Sequence, residues 1–223
     1  MLQNILFDLD GTIVDSGEGI MNALRYSYQK ENLPVPLESV LRKFIGPPLV
    51  ESFQKYSDII PNSDLSQSLL ADFQEFYNEK GWQQLSLYPQ IIELLTKLQQ
   101  KGCKAYIATA KPEPFAKKII SHLQLDNYFQ GIYGADLSET MHKSDVIATA
   151  IRQAQLTDLQ TTVMIGDRDT DVIGAAANNL KTIGVLYGFG TQEELENAGV
   201  IATIKQPLDL LSQIGVNKDE KIF

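Results

Sequence analysis

Two aspartates one residue apart, Asp8 and Asp10, stand in the run Phe7-Asp8-Leu9-Asp10-Gly11-Thr12, directly after the apolar stretch Asn4–Phe7. Paired carboxylates of this kind can attack an electrophilic centre, shuttle a proton or bind a hard cation through oxygen. A strand running into an Asp-Gly turn accounts for Asp10-Gly11. It leaves Asp8 unexplained, because a charge placed straight after a buried strand is unfavourable unless paired or metal-bound. At ordinary residue frequencies, Asp-x-Asp-Gly-Thr arises by chance about once in several hundred chains of this size.

A second group of acids closes the run Met164-Ile165-Gly166-Asp167-Arg168-Asp169-Thr170-Asp171. Asp167 and Asp171 share one side if a helix begins here, although acids are also favoured at a helix start for capping alone. Thr109, in Ile107-Ala108-Thr109-Ala110-Lys111-Pro112, places a hydroxyl at a strand end ahead of prolines suited to a first helical turn. With amides at that helix N-terminus it would make a phosphate cradle; a simple N-cap is the plainer reading. Lys143 opens the helical stretch 143–155, where a cation opposes the macrodipole. An anionic partner would remove that conflict, and solvent would tolerate it.

These residues need a scaffold that ends strands at a common edge. Short apolar runs at 4–7, 103–108, 162–165 and 182–186, with weaker ones at 131–133 and 200–203, alternate with helical patterns. That alternation predicts a parallel sheet covered on both faces. Helices are expected at Ile91 to Leu98, at 143–155 and around Leu208 to Ile214, and Thr191-Gln192-Glu193-Glu194 has the form of a capping box. Residues 217–223 read as a fraying tail. Between Val14 and Tyr88 the pattern is helical, around 19–31, 37–44, 48–56 and 64–80, with no convincing strand. Leaving a sheet after its first strand and returning later predicts an inserted domain, with hinges at 15–17 and 87–89.

The 223 residues carry 28 acids against 19 bases, a net charge of −9 that disfavours a nucleic-acid partner. Cys103, the only cysteine, excludes an intrachain disulfide and reads as a small core residue. No basic leader precedes the first strand, and no apolar run approaches the ~20 residues of a membrane span. A cytoplasmic protein without a membrane partner is expected.

The order Asp-x-Asp, Thr, Lys, then Gly-Asp-x-x-x-Asp resembles the haloacid dehalogenase superfamily over nearly the whole chain. The helical insert is similar to its C1-type cap. Phe7 to Ser16, Phe44-Ile45-Gly46-Pro47-Pro48 and Ala108 to Pro112 resemble the phosphoglycolate phosphatase-like or 5′-nucleotidase-like branch. The resemblance implies an α/β fold, a Rossmann-like parallel sheet core (1–14 and 89–223) carrying an all-helical cap (15–88). It implies a Mg²⁺-dependent hydrolase of a small phosphorylated metabolite, monomeric or homodimeric. Asp8 would attack phosphorus and Asp10 would serve as acid, then base. The Asp8 carboxylate, the Asp10 carbonyl and Asp167 would hold Mg²⁺, with Asp171 orienting them. Thr109 and Lys143, with N–H groups near Gly11 and Ala110, would hold phosphoryl oxygens, and Lys143 would keep Asp8 ionised. Gly46 would reach down from the cap, Lys111 would touch substrate, and Asp169 would be an exposed helix-start acid without a role. A phosphosugar mutase would share these catalytic residues. A dehalogenase would leave Asp10 and Asp167 idle, a phosphonatase would need a cap lysine such as Lys43 or Lys55, and a phosphoacceptor signalling module would lack the second acidic pair.

Overall fold

The computed structural model describes residues 2–138 and 141–215; the tail at 217–223 lies outside them. The chain enters through β1 (Asn4–Phe7) and β2 (Val14–Asp15), then makes α1 (Gly17–Lys30), α2 (Glu38–Leu41), α3 (Leu49–Ser57) and α4 (Asp64–Glu79). It returns through β3 (Ser86–Leu87), which pairs antiparallel with β2. There follow α5 (Ile91–Gln100), β4 (Lys104–Pro112), α6 (Glu113–His122), β5 (Phe129–Ala135), α7 (Lys143–Gln153), β6 (Thr162–Gly166) and α8 (Asp169–Ala177). β7 (Lys181–Val185), α9 (Gln192–Ala198), β8 (Ala202–Ile204) and α10 (Asp209–Gln213) complete the order.

Six strands form one parallel sheet in the order β5-β4-β1-β6-β7-β8. β1 is central and its side chains alternate between two cores. Ile5 and Phe7 join Ala105, Ile107, Val163 and Ile165 on one face, while Leu6 joins Tyr106, Ala108 and Met164 on the other. Both faces being apolar is what makes each strand a continuous apolar run rather than an alternating one. Burying each such Ile, Leu or Phe contributes about 1.5–3 kcal/mol over leaving it exposed. Successive strands go to one side of β1 (β4, β5) and later ones to the other (β6, β7, β8), so the switch point lies at the carboxyl end of β1, where α/β sheets bind ligands.

The observed sheet includes every strand expected from the sequence, with differences at the ends. β4 runs on past residue 108 to Pro112, pairing with β5 through an irregular register. The excursion between β1 and β4 is helical but not free of strand, since β2 and β3 form a small ribbon where the chain leaves and returns. The helix expected over 37–44 is a single turn continued by a tight turn at Arg42–Phe44. Pro47 and Pro48, which cannot donate a backbone hydrogen bond, close that stretch. The apolar face of α1 (Ile20, Met21, Leu24, Tyr28) packs with Phe53, Leu69, Phe73 and Tyr77 of α3 and α4. Cys103 is buried and unpaired just before β4. Among the described residues no helix is long and apolar enough to cross a membrane.

Candidate active site

Asp8 continues the parity of Leu6 and so leaves β1 on the side covered by α7 and α8. Its backbone N–H donates to the Ile165 carbonyl at 2.8 Å, which extends the ladder one residue beyond the strand. Lys143, the first residue of α7, reaches into the same space. Its Nζ lies 2.6 Å from Asp8 Oδ1 and 2.6 Å from Asp171 Oδ1, with only 4% of its side chain exposed. The Arg168 N–H donates to Asp171 Oδ2 at 3.1 Å, so both oxygens of Asp171 are engaged. Asp167 follows β6, is fully buried, and accepts the Phe189 N–H on Oδ2 at 2.6 Å. Gly11 has φ +85° and packs against the Asp167 carboxylate, so a Cβ there would collide with it; glycine is required on both counts.

Three acids around one lysine leave a surplus of buried negative charge. Burial, and then Asp171 and Asp8, hold Asp167 well above the ordinary carboxylate range. Burial pushes Asp171 up to about 6 even though Lys143 beside it favours its ionised form. For Lys143 burial favours the neutral amine, but Asp171 and Asp8 outweigh it and raise the group. Oxygens of Asp8, Asp167 and Asp171 lie within 4.8 Å of one another, and Asp167 Oδ1 and Asp10 Oδ1 are buried with no hydrogen-bond partner. An all-oxygen donor set with orphaned buried oxygens and excess negative charge fits a hard divalent cation such as Mg²⁺.

The Asp10 carboxylate turns another way. Its Oδ2 pairs with Lys111 Nζ at 3.0 Å, and the same ammonium donates to the Tyr77 hydroxyl at 2.9 Å and lies 4.6 Å from that ring's centroid. Burial would lower Lys111, but Asp10 and Tyr77 raise it overall. Thr109 is buried and its Oγ1 accepts the Lys111 N–H at 3.2 Å. The helix expected at the prolines starts at Glu113 with Pro114 in its first turn, but β4 continues to Pro112, so the Ala110 amide belongs to the strand end and not to the helix N-terminus.

Part of this set lines one pocket, while Lys143 faces a neighbouring hollow that shares Gly46, Pro48 and Ala110 with it. Asp8, Asp10, Thr109, Ala110 and Lys111 form the pocket's floor, and Gly46 with Pro47 and Pro48 stands above it. Phe44, Leu49, Phe73, Tyr77 and Phe115 make an apolar wall. Asp169 is half-buried rather than exposed, with its N–H on Glu194 at 3.0 Å. Lys43 and Lys55 both lie against the Tyr56 ring, at 5.9 and 5.4 Å from its centroid, and neither lines the pocket. Sequence reasoning missed Tyr77 and Arg168. Tyr77 reads as one more apolar position of α4, and Arg168 as a polar spacer between acids; no motif marks either.

A family model described as haloacid dehalogenase-like hydrolase matches residues 5–185. A 5′-nucleotidase of Pseudomonas aeruginosa is 35% identical over 193 residues, covering 86% of each chain. The tyrosine-protein kinase PtkA of Mycobacterium tuberculosis is 33% identical over 196 residues, which span 87% of this chain and 65% of that one. At 27% identity, phosphoglycolate phosphatase of Yersinia pestis aligns over 99% of this chain and 97% of its own. A crystal structure described as a predicted phosphatase from Clostridium acetobutylicum has a TM-score of 0.90 at 38% identity, covering 96% of this chain and 98% of that one. With acids converging at the switch point of a parallel sheet and a family match over most of its length, the chain belongs to the haloacid dehalogenase-like hydrolases.

Proposed function

We propose that the chain is a Mg²⁺-dependent phosphatase that hydrolyses a small phosphorylated metabolite through an aspartyl-phosphate on Asp8. The observation that carries this reading is the Asp8 carboxylate, held 2.6 Å from Lys143 on the floor of a pocket that Asp10 and Thr109 also line. Relatives named as phosphatases and nucleotidases support the reaction class.

A carboxylate oxygen of Asp8 attacks phosphorus and the ester oxygen leaves, taking a proton from Asp10. Asp10 then takes a proton from water as that water attacks phosphorus, freeing phosphate and restoring Asp8. Lys143 pairs with Asp8 and aims it, and with Thr109 and the N–H of Ala110 it binds the phosphoryl oxygens, whereas the Gly11 N–H is already given to the Val14 carbonyl at 2.8 Å. Asp8, Asp167 and the Asp10 carbonyl would hold Mg²⁺, with Asp171 orienting the cluster; the ion supplies positive charge for the phosphoryl oxygens. Residues 15–88 act as a cap over a core formed by 1–14 and 89–223. The cap's aromatic wall excludes water and suits a leaving group with an apolar face.

A screen of phosphorylated metabolites with Mg²⁺, run on wild type and Asp8→Asn, tests the proposal. The wild type is expected to release phosphate, and the variant to lose at least about 10³-fold in rate. Equal rates in the two proteins would remove Asp8 from the nucleophile role.

A further inference from the structure

Arg168 directly follows Asp167, yet the chemistry above makes no use of its side chain. Its Nε donates to Glu194 Oε1 at 2.7 Å, and Glu194 is in turn fixed at the start of α9, where its N–H donates to Thr191 Oγ1 at 3.1 Å. Its Nη1 donates to the Ile45 carbonyl, 123 positions away in the chain. Ile45 immediately precedes Gly46-Pro47-Pro48, the segment that lines the pocket together with Asp8 and Asp10. Pro47 and Pro48 have no N–H with which to anchor that segment. Gly46 adopts φ +107°, and a Cβ on it would lie 2.9 Å from Arg168 Cγ, so the segment is pressed against the arginine stem. The same residue serves the acids through its backbone N–H on Asp171.

We propose that Arg168 is a positioning residue for substrate binding: aimed by Glu194, it grips the Ile45 carbonyl and fixes Gly46-Pro47-Pro48 over the pocket without touching substrate. The inference rests on this pocket being the substrate site, and its test therefore reads the backbone as well as turnover. Arg168→Met keeps the alkyl stem and removes the guanidinium. In the full chain with Mg²⁺, amide exchange over residues 44–52 is expected to accelerate about tenfold or more, as for loss of a charge-assisted hydrogen bond. KM for the ester hydrolysed is expected to rise about tenfold while kcat stays within about threefold, the signature of lost binding rather than lost chemistry. The rise in melting temperature on adding Mg²⁺ stays as in wild type. Arg168→Lys recovers part of the exchange protection and of KM. Glu194→Gln, which leaves the arginine in place, shifts both readouts the same way by less, and decides the matter should Arg168→Met fail to fold. Unchanged exchange over 44–52 in the folded variant overturns the proposal, as does a loss of the Mg²⁺ response matching the change in KM. Absence of turnover on every ester would instead strike the hydrolase reading, with the exchange measurement still deciding the role of Arg168.

Discussion

The two sides of the candidate site, the buried charges at the sheet end and the apolar wall of the pocket beside them, are built by different rules. At the sheet end, Asp8, Asp167, Asp171 and Lys143 are buried charges whose positions follow from where β1, β6 and α7 stop and start. Beside them, Phe44, Leu49, Phe73 and Tyr77 come from the helical excursion and face the pocket as part of the same apolar packing that holds those helices together. Charges in low dielectric tolerate little displacement, whereas apolar contacts are non-directional and scale with area. In the proposed reaction, the sheet end therefore fixes the chemistry and the helical wall adjusts its scope. Damage to the first should affect every substrate, and damage to the second should re-rank them.

The sharpest way to break that contrast is Lys143→Met. It leaves Asp8 and Asp171 without their shared cation, and turnover of all esters should fall about 10²–10³-fold. Removing one partner of a buried ion pair also destabilises by about 3–5 kcal/mol, which a thermal melt would read. A retained melting temperature would show that the acids do not depend on this lysine.

Next is Asp167→Asn, which separates stability from function. Asp167 and Asp171 hold protons more firmly in the fold than in the open chain, where the ordinary value is 3.8. The metal-free native chain therefore binds the extra protons, and its stability falls as pH rises from about 4 through about 6. Melting the metal-free protein across that window should show the decline, and Mg²⁺ at neutral pH should reverse it, by about 2.7 kcal/mol at a hundredfold excess over Kd. In Asp167→Asn the pH-dependent decline should shrink and the Mg²⁺ response should disappear, with the metal-free variant melting no lower than wild type at pH 7. A variant that still gains stability from Mg²⁺ would exclude Asp167 as a ligand.

The smallest effect belongs to the wall. Phe73→Leu removes a ring stacked at 9° on Tyr77 and should cost about 1–1.5 kcal/mol of stability. Its turnover of the smallest esters should stay within about threefold, while the ratio between small and bulky leaving groups shifts by about tenfold. A uniform loss across all esters would erase the distinction between the two sides.

The same contrast governs how much could be read beforehand. Asp8 and Asp167 were legible because an apolar run that stops at a carboxylate has few structural explanations. β1 and β6 fall where the sequence placed them for the same reason. Lys143 was visible only as a cation at an unfavourable helix start, and its burial depends on α7 packing over the sheet. The continuation of β4 through Thr109 to Pro112 was not legible: Pro112 and Pro114 mark the start of α6, and nothing in the sequence says that pairing to β5 carries the strand right up to it. Tyr77 and Lys111 are separated by 34 positions, and Arg168 and Ile45 by 123. Contacts of that span leave no periodicity in the chain, so neither partner announces the other.

The ribbon of β2 and β3 has a consequence for how such a chain can change. Val14 faces Leu87 and Asp15 faces Ser86, so the backbone departs and comes back through neighbouring positions, about 5 Å apart in such pairs. Everything strung between them is, topologically, a long loop hung from a closed clasp. Its length and helical content can be rewritten without moving β1 or β4, which lets one set of acids be paired with many different helical excursions.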